Sequence, residues 1–139
     1  VAPSRGLGDV YKRQVVDPSV NYSGYFDARS RSITMKQIDD SVYHELGHFL
    51  AFIAGNVDKT ASFQSIFAAE KANVTAFNKA YVTQNASEYF AESVKDYILN
   101  NASLKSTRPQ TYAAVQNALN QITDAQIAKI QKIYGAFWN

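Results

Sequence analysis

The sequence predicts an α+β domain in which a small sheet or hairpin is followed by about five helices. Three observations predict it. Between Tyr22 and Lys36, apolar and polar residues alternate with the two-residue period of strands. From Val42 onward, apolar residues recur every three or four positions, the spacing of helices that face a core. Polar caps, glycine and proline divide that stretch into separate elements.

The order begins with a segment set aside. Residues 1–14 have no hydrophobic periodicity and no starting methionine, and they read as the translated read-through of a sequencing-library adapter. Residues 15–139 are then the authentic part, an N-terminally truncated domain whose true start and any signal peptide lie elsewhere. Val15 to Val20, interrupted by Pro18, is at best an edge strand. Tyr22 to Asp27 and Arg31 to Lys36 flank a short polar turn and form the hairpin.

Asp39, Asp40 and Ser41 offer N-cap side chains to a first helix. Its apolar face is Val42, Leu46, Phe49, Leu50 and Ile53, and Gly55-Asn56 ends it. A second helix covers Ser62 to Lys71, with Phe63, Ile66, Phe67 and Ala69 as its apolar set. Asn73 to Gln84 has no firm period and reads as a loop with one helical turn around Phe77 to Tyr81. Asn85 caps a helix from Ala86 to about Leu99, with Phe90, Val94, Tyr97 and Ile98 inward. Pro109 suits the first turn of a helix running to about Ile122. Thr123 and Gln126 have capping-box spacing for a last helix striped by Ile127, Ile130, Ile133 and Tyr134.

Composition excludes several functions. The chain has 139 residues, enough for one domain, and 46% of them are hydrophobic. Its 14 basic and 12 acidic residues are interspersed, for a formal charge of +2, which leaves no electrostatic footprint for nucleic acid. No apolar run approaches the roughly 18 residues of a membrane span. Cysteine is absent, so any metal must be held by His, Asp or Glu.

The run His44-Glu45-Leu46-Gly47-His48 holds the only two histidines. On a helix, positions i and i+4 share a face about 5–6 Å apart, so His44 and His48 project together toward one Zn²⁺. Glu45, one step around, reaches an attacking water as general base without occupying the metal. The alternative is a surface helix with two chance histidines. The apolar run Phe49-Leu50-Ala51-Phe52-Ile53 just downstream favours a buried or cleft position instead. Gly47 inside a helix costs about 1 kcal/mol against alanine and points to tight packing there.

A catalytic zinc needs a third protein ligand and one open position. Here that ligand must be a carboxylate, and the candidates are Asp58, Glu70, Glu88, Glu92, Asp96 and Asp124. Glu88 and Glu92 lie at i and i+4 on one helix and repel unless a positive charge sits beside them. A dication beside an imidazole satisfies both: Glu88 binds zinc, and Glu92 accepts the free N–H of a ligating histidine, His44. A solvated face partnered by Lys95 is the plainer alternative.

The sequence resembles the peptidase domain of the anthrax lethal factor family, which includes the secreted Pro-Pro endopeptidases, over most of residues 22–120. Four segments carry the likeness in order. They are Gly24-Tyr25-Phe26-Asp27 through Ile33-Thr34-Met35, His44 to Phe49, Tyr81 with Glu88-Tyr89-Phe90-Ala91-Glu92, and Pro109-Gln110-Thr111-Tyr112. The resemblance implies a zincin-like fold of the gluzincin kind and one zinc held by His44, His48 and Glu88, with Glu45 as base. It implies that Tyr81, otherwise a loop aromatic equally suited to packing, donates to the oxyanion. It also implies that the strand Ile33-Thr34-Met35 pairs with extended substrate; an ordinary sheet edge is the other reading. The expected activity is zinc-dependent endopeptidase action on a peptide or protein, proline-containing by resemblance, secreted or at a bacterial cell surface. The rivals are a non-catalytic zincin-like binding module of a larger toxin and an intracellular regulatory protease of the HExxH type. An intact Glu45 weighs against the first, and the lack of a DNA-binding element weighs against the second.

Overall fold

A computed structural model describes residues 40–122 in full, the backbones of residues 13–16, 24–27 and 32–35, and the single helical residues Ala128 and Lys132. Among the described residues, strand pairing joins three backbone segments, β1 (Arg13–Val16), β2 (Gly24–Asp27) and β3 (Ser32–Met35). Their order is β1-β3-β2. β1 runs parallel to β3 from the pair Arg13–Ser32 to Val16–Met35, and β2 runs antiparallel to it from Gly24–Met35 to Asp27–Ser32. β3 is therefore central among these strands, with backbone partners on both sides. This corrects the substrate-edge reading of Ile33, Thr34 and Met35, because a strand paired on both sides has no free row of N–H and C=O groups to offer.

The fold class is corrected as well. Residues 40–122 contain no strand and are about 80% helical, so the described body is a helical assembly rather than an α+β domain built on a sheet. The physical reason is where apolar surface is buried. Among the described residues, every buried hydrophobic side chain, from Leu46 to Ala118, lies on a helix or a helix connection.

Six α-helices are described: α1 (Ser41–Ile53), α2 (Ala61–Glu70), α3 (Lys79–Val82), α4 (Ala86–Leu99), α5 (Asn101–Thr107) and α6 (Pro109–Asn120). α3 is the helical turn expected around Phe77 to Tyr81, shifted to Lys79–Val82, and α5 is an addition to the sequence expectation. Of the last expected helix, from Thr123 through Tyr134, only Ala128 and Lys132 are described, both helical; the rest lies outside the described residues. α5 escaped the pattern because only Leu104 of its seven residues is buried, too little for a period.

The ends of the helices follow elementary capping chemistry. α1 closes in a Schellman turn: Asn56 N–H donates to Ala51 C=O at 2.8 Å and Gly55 N–H to Phe52 C=O at 3.3 Å. Both residues take positive φ, 76° at Gly55 and 59° at Asn56. At the other end Asp40 occupies the cap position without a side-chain cap bond. Thr60 Oγ1 accepts from Phe63 N–H at 3.2 Å to start α2. Asn85 Oδ1 accepts from Glu88 N–H at 2.8 Å to start α4.

α1 packs most extensively on α4. Phe49, Leu50 and Ile53 of α1 meet Phe63 of α2, Phe90 and Val94 of α4, and Val115 and Ala118 of α6 in one core. Phe63 and Phe90 pack edge to face, 5.1 Å between ring centres. At the crossing of α1 and α4, a Cβ added to Gly47 would stand 2.6 Å from the Cα and the carbonyl oxygen of Ala91. The two backbones touch there, so Gly47 accepts no larger residue unless the helices separate.

Candidate metal centre

The α1–α4 contact places two pairs of side chains opposite each other. Gly47 and Ala91 are flanked by His44 and His48 on α1 and by Glu88 and Glu92 on α4. The histidine rings stand 5.0 Å apart, nearly perpendicular at 76°. Glu88 Oε1 lies 2.6 Å from His48 Nε2 and 3.5 Å from His44 Nε2. One ligand atom from each of His44, His48 and Glu88 falls within 4.8 Å of the others. Glu92 Oε1 takes the other ring nitrogen of His44, Nδ1, at 2.9 Å.

These contacts define what each group can do. An Nδ1–H donated to Glu92 turns the His44 Nε2 edge toward Glu88 and His48. That Nε2 is buried and has no hydrogen-bond partner. A buried ring nitrogen left unpaired beside a second imidazole and a carboxylate is a donor set suited to zinc. Two nitrogens and one oxygen make three ligands and leave one position open.

Without a metal, a proton is favoured where the metal would bind. Burial works against a charge on His44, but the Glu88 and Glu92 carboxylates overcome it and push the imidazole up to about 9. The two histidines hold the Glu88 carboxyl well below the usual carboxylate range. Burial opposes ionisation of Glu92, yet His44 and then Lys95 keep it low; Lys95 Nζ lies 3.8 Å from the free oxygen Oε2. Lys95 and His44 therefore share Glu92, one oxygen each. Glu45 is buried beside His44, and desolvation raises its carboxyl against the pull of His48 and His44. Tyr81, on the one-turn helix α3, is 53% exposed, and its ring centre is 6.3 Å from that of His44. The neighbouring Glu88 carboxylate, then burial, pushes its phenol up to about 12, so it stays protonated.

Two of the remaining carboxylate candidates are engaged elsewhere. Glu70 accepts the backbone N–H groups of Gln110 and Thr111, and Asp96 pairs with Arg108. Asp58 is buried in the 3₁₀ turn Val57–Lys59, and Asp124 lies outside the described residues. Reading the sequence missed Ala91, whose only signal is a small residue between two glutamates of α4. It also missed Tyr89, which reads as a generic aromatic but is fully buried with its hydroxyl bonded to Thr111.

Comparison with known proteins places the chain. Residues 21–118 match the family model described as anthrax toxin lethal factor, N- and C-terminal domain. The chain belongs to this family. Within it, the chain is similar to a Pro-Pro endopeptidase of Clostridioides difficile (strain 630), at 41% identity over 78 residues. That match covers 53% of this chain and 34% of the relative, so the chain spans about a third of the relative's length. The family is thus protease-related, and among the described residues no helix is long and apolar enough to cross a membrane.

Proposed function

We propose that this chain carries the active site of a zinc-dependent endopeptidase, with His44, His48 and Glu88 as metal ligands and Glu45 as general base. One observation carries the reading: the ligand atoms of those three residues converge within 4.8 Å around an unpartnered, buried His44 Nε2. Zinc bound there would polarise a peptide carbonyl and make a nearby water a competent nucleophile at neutral pH.

The chain's own groups supply the rest. Glu45, raised by burial, takes the proton of the attacking water and returns it to the departing amine. Tyr81, held protonated beside Glu88, donates its O–H to the oxygen of the tetrahedral intermediate. Glu92 fixes the ring orientation of His44 through Nδ1. The name of the similar Pro-Pro endopeptidase supports a proline-containing peptide or protein as substrate, and the family resemblance supports action outside the cell.

Metal analysis and peptide cleavage on the full-length protein test this together. Glu45→Gln keeps stoichiometric zinc and loses most turnover, while His48→Ala and Glu88→Ala lose the zinc. Full zinc retention in both ligand variants would refute the assignment.

A further inference from the structure

We propose that the turn entering α6, Arg108–Thr111, is a clamp that sets the rotation of α4 about its own axis and so aims Glu88 and Glu92. The inference rests on the metal-site reading above. At about 100° per residue, Glu88 and Glu92 occupy one stripe of α4, and Tyr89, Ser93 and Asp96 occupy the next. All three members of that second stripe bond to the same turn. Tyr89 Oη lies 2.6 Å from Thr111 Oγ1. Arg108 donates from Nη1 to Ser93 Oγ at 3.3 Å and from Nη2 to Asp96 Oδ2 at 2.5 Å. The guanidinium also lies 5.5 Å from the centre of the Tyr89 ring.

The turn is itself anchored. Glu70, the last residue of α2, accepts Thr111 Oγ1–H at 2.8 Å, Thr111 N–H at 2.8 Å and Gln110 N–H at 3.1 Å. With its only hydroxyl proton committed to Glu70, Thr111 Oγ1 must accept from Tyr89 O–H. The chain of donors therefore runs one way, from α4 through α6 to α2. Glu70, Tyr89, Ser93, Arg108 and Thr111 are all buried, where such bonds are strong and a broken one leaves an unpaired group.

Apolar packing could not set this angle alone. Phe90 and Val94 bury apolar surface, and that attraction has no direction; hydrogen bonds lose strength steeply as they bend. The Gly47–Ala91 contact fixes how far α4 stands from α1, and the clamp fixes which way α4 faces. A carboxylate roughly 6 Å from the helix axis moves about 2 Å for a 20° rotation, as much as a whole zinc–ligand bond of about 2 Å.

Zinc affinity by chelator competition, measured on the full chain well below the Tm of each variant, tests the clamp. Wild type binds one zinc. Tyr89→Phe, which removes a single oxygen, and Thr111→Val each bind it about 10- to 100-fold more weakly while keeping their helical circular dichroism. Thr111→Ser, which keeps the hydroxyl, returns to within about twofold of wild type. Ile53→Val, a core truncation with comparable loss of Tm, leaves the affinity near wild type. Tyr89→Phe and Thr111→Val holding zinc within about twofold of wild type would overturn the clamp and leave the metal site standing. An equal loss in Ile53→Val would overturn it too, by tying affinity to stability alone. A wild-type chain without zinc affinity would instead overturn the metal reading, and the clamp with it.

Discussion

His44 is bonded or poised at both ring nitrogens, and that makes it the most informative residue of the site. The spacing of His44 and His48 was legible because a helix brings i and i+4 onto one face whatever surrounds it. The pairing of Glu92 with His44 was legible for the same reason, once Glu88 and Glu92 stood on one face of a second helix. Tyr81 was reached only through the family resemblance, because its placement depends on how α3 docks and not on any local period. The role proposed for it makes a residue-scale prediction. Tyr81→Phe, with more than half of that side chain exposed, leaves zinc content and Tm near wild type. It slows turnover about 10²–10³-fold if the phenol is an oxyanion donor. Parallel cleavage and metal measurements decide it, and an unchanged turnover number sinks the role.

At the scale of elements, the contact between α1 and α4 carries the most consequence. A glycine inside a strong helix signalled close packing, but the partner was invisible in the sequence, since Ala91 is separated from Gly47 by two other helices. Gly47→Ala gains helix propensity of about 1 kcal/mol yet drives a methyl to 2.6 Å from the backbone of Ala91. Overpacking of that kind costs roughly 1–3 kcal/mol, and the backbone cannot rotate away as a side chain would. The expected outcome is a lower Tm together with weaker zinc binding, read by thermal melts with and without the metal. A variant more stable than wild type with full zinc affinity would show that the helices part without cost. The caps were read unevenly. Asn85 performs as its residue type suggests, whereas Thr60 was overlooked and Asp40 makes no side-chain cap bond.

For the whole molecule, helices with a long apolar stripe were legible and the balance of helix to sheet was not. Short alternating segments such as Gly24–Asp27 look like a layer of a fold, but four residues of strand carry too little pattern to set the fold class. The charges of the site act on the molecule as a whole through pH. The folded metal-free chain holds the His44 proton up to about 9 against an ordinary 6.5, so it binds that proton more tightly than the unfolded chain. The stabilisation is complete below pH 6.5 and is lost as pH rises through about 9. The lowered Glu88 carboxyl works oppositely: its contribution is present above the ordinary carboxylate range and is lost as acid titrates it. The chelated protein is therefore expected to melt highest between about pH 5 and 6.5 and to lose Tm toward pH 9.5. A Tm that holds or rises over that interval contradicts the charge pairing. Zinc competes with the same proton, so its affinity climbs where the metal-free fold weakens.

The one-turn helix α3 sets a timescale as well as a position. Four residues are far too few to persist by themselves. Lys79–Val82 is held by the fully buried Val82 and by a bond from Lys79 Nζ to Ala72 C=O, 2.8 Å long and exposed to water. Its amide hydrogens should trade with deuterium by brief local opening, long before those of α1 or α4. The proposed ligands thus stand on the slow part of the molecule and the tyrosine on the fast part, and substrate arrival is what would bring the two clocks together.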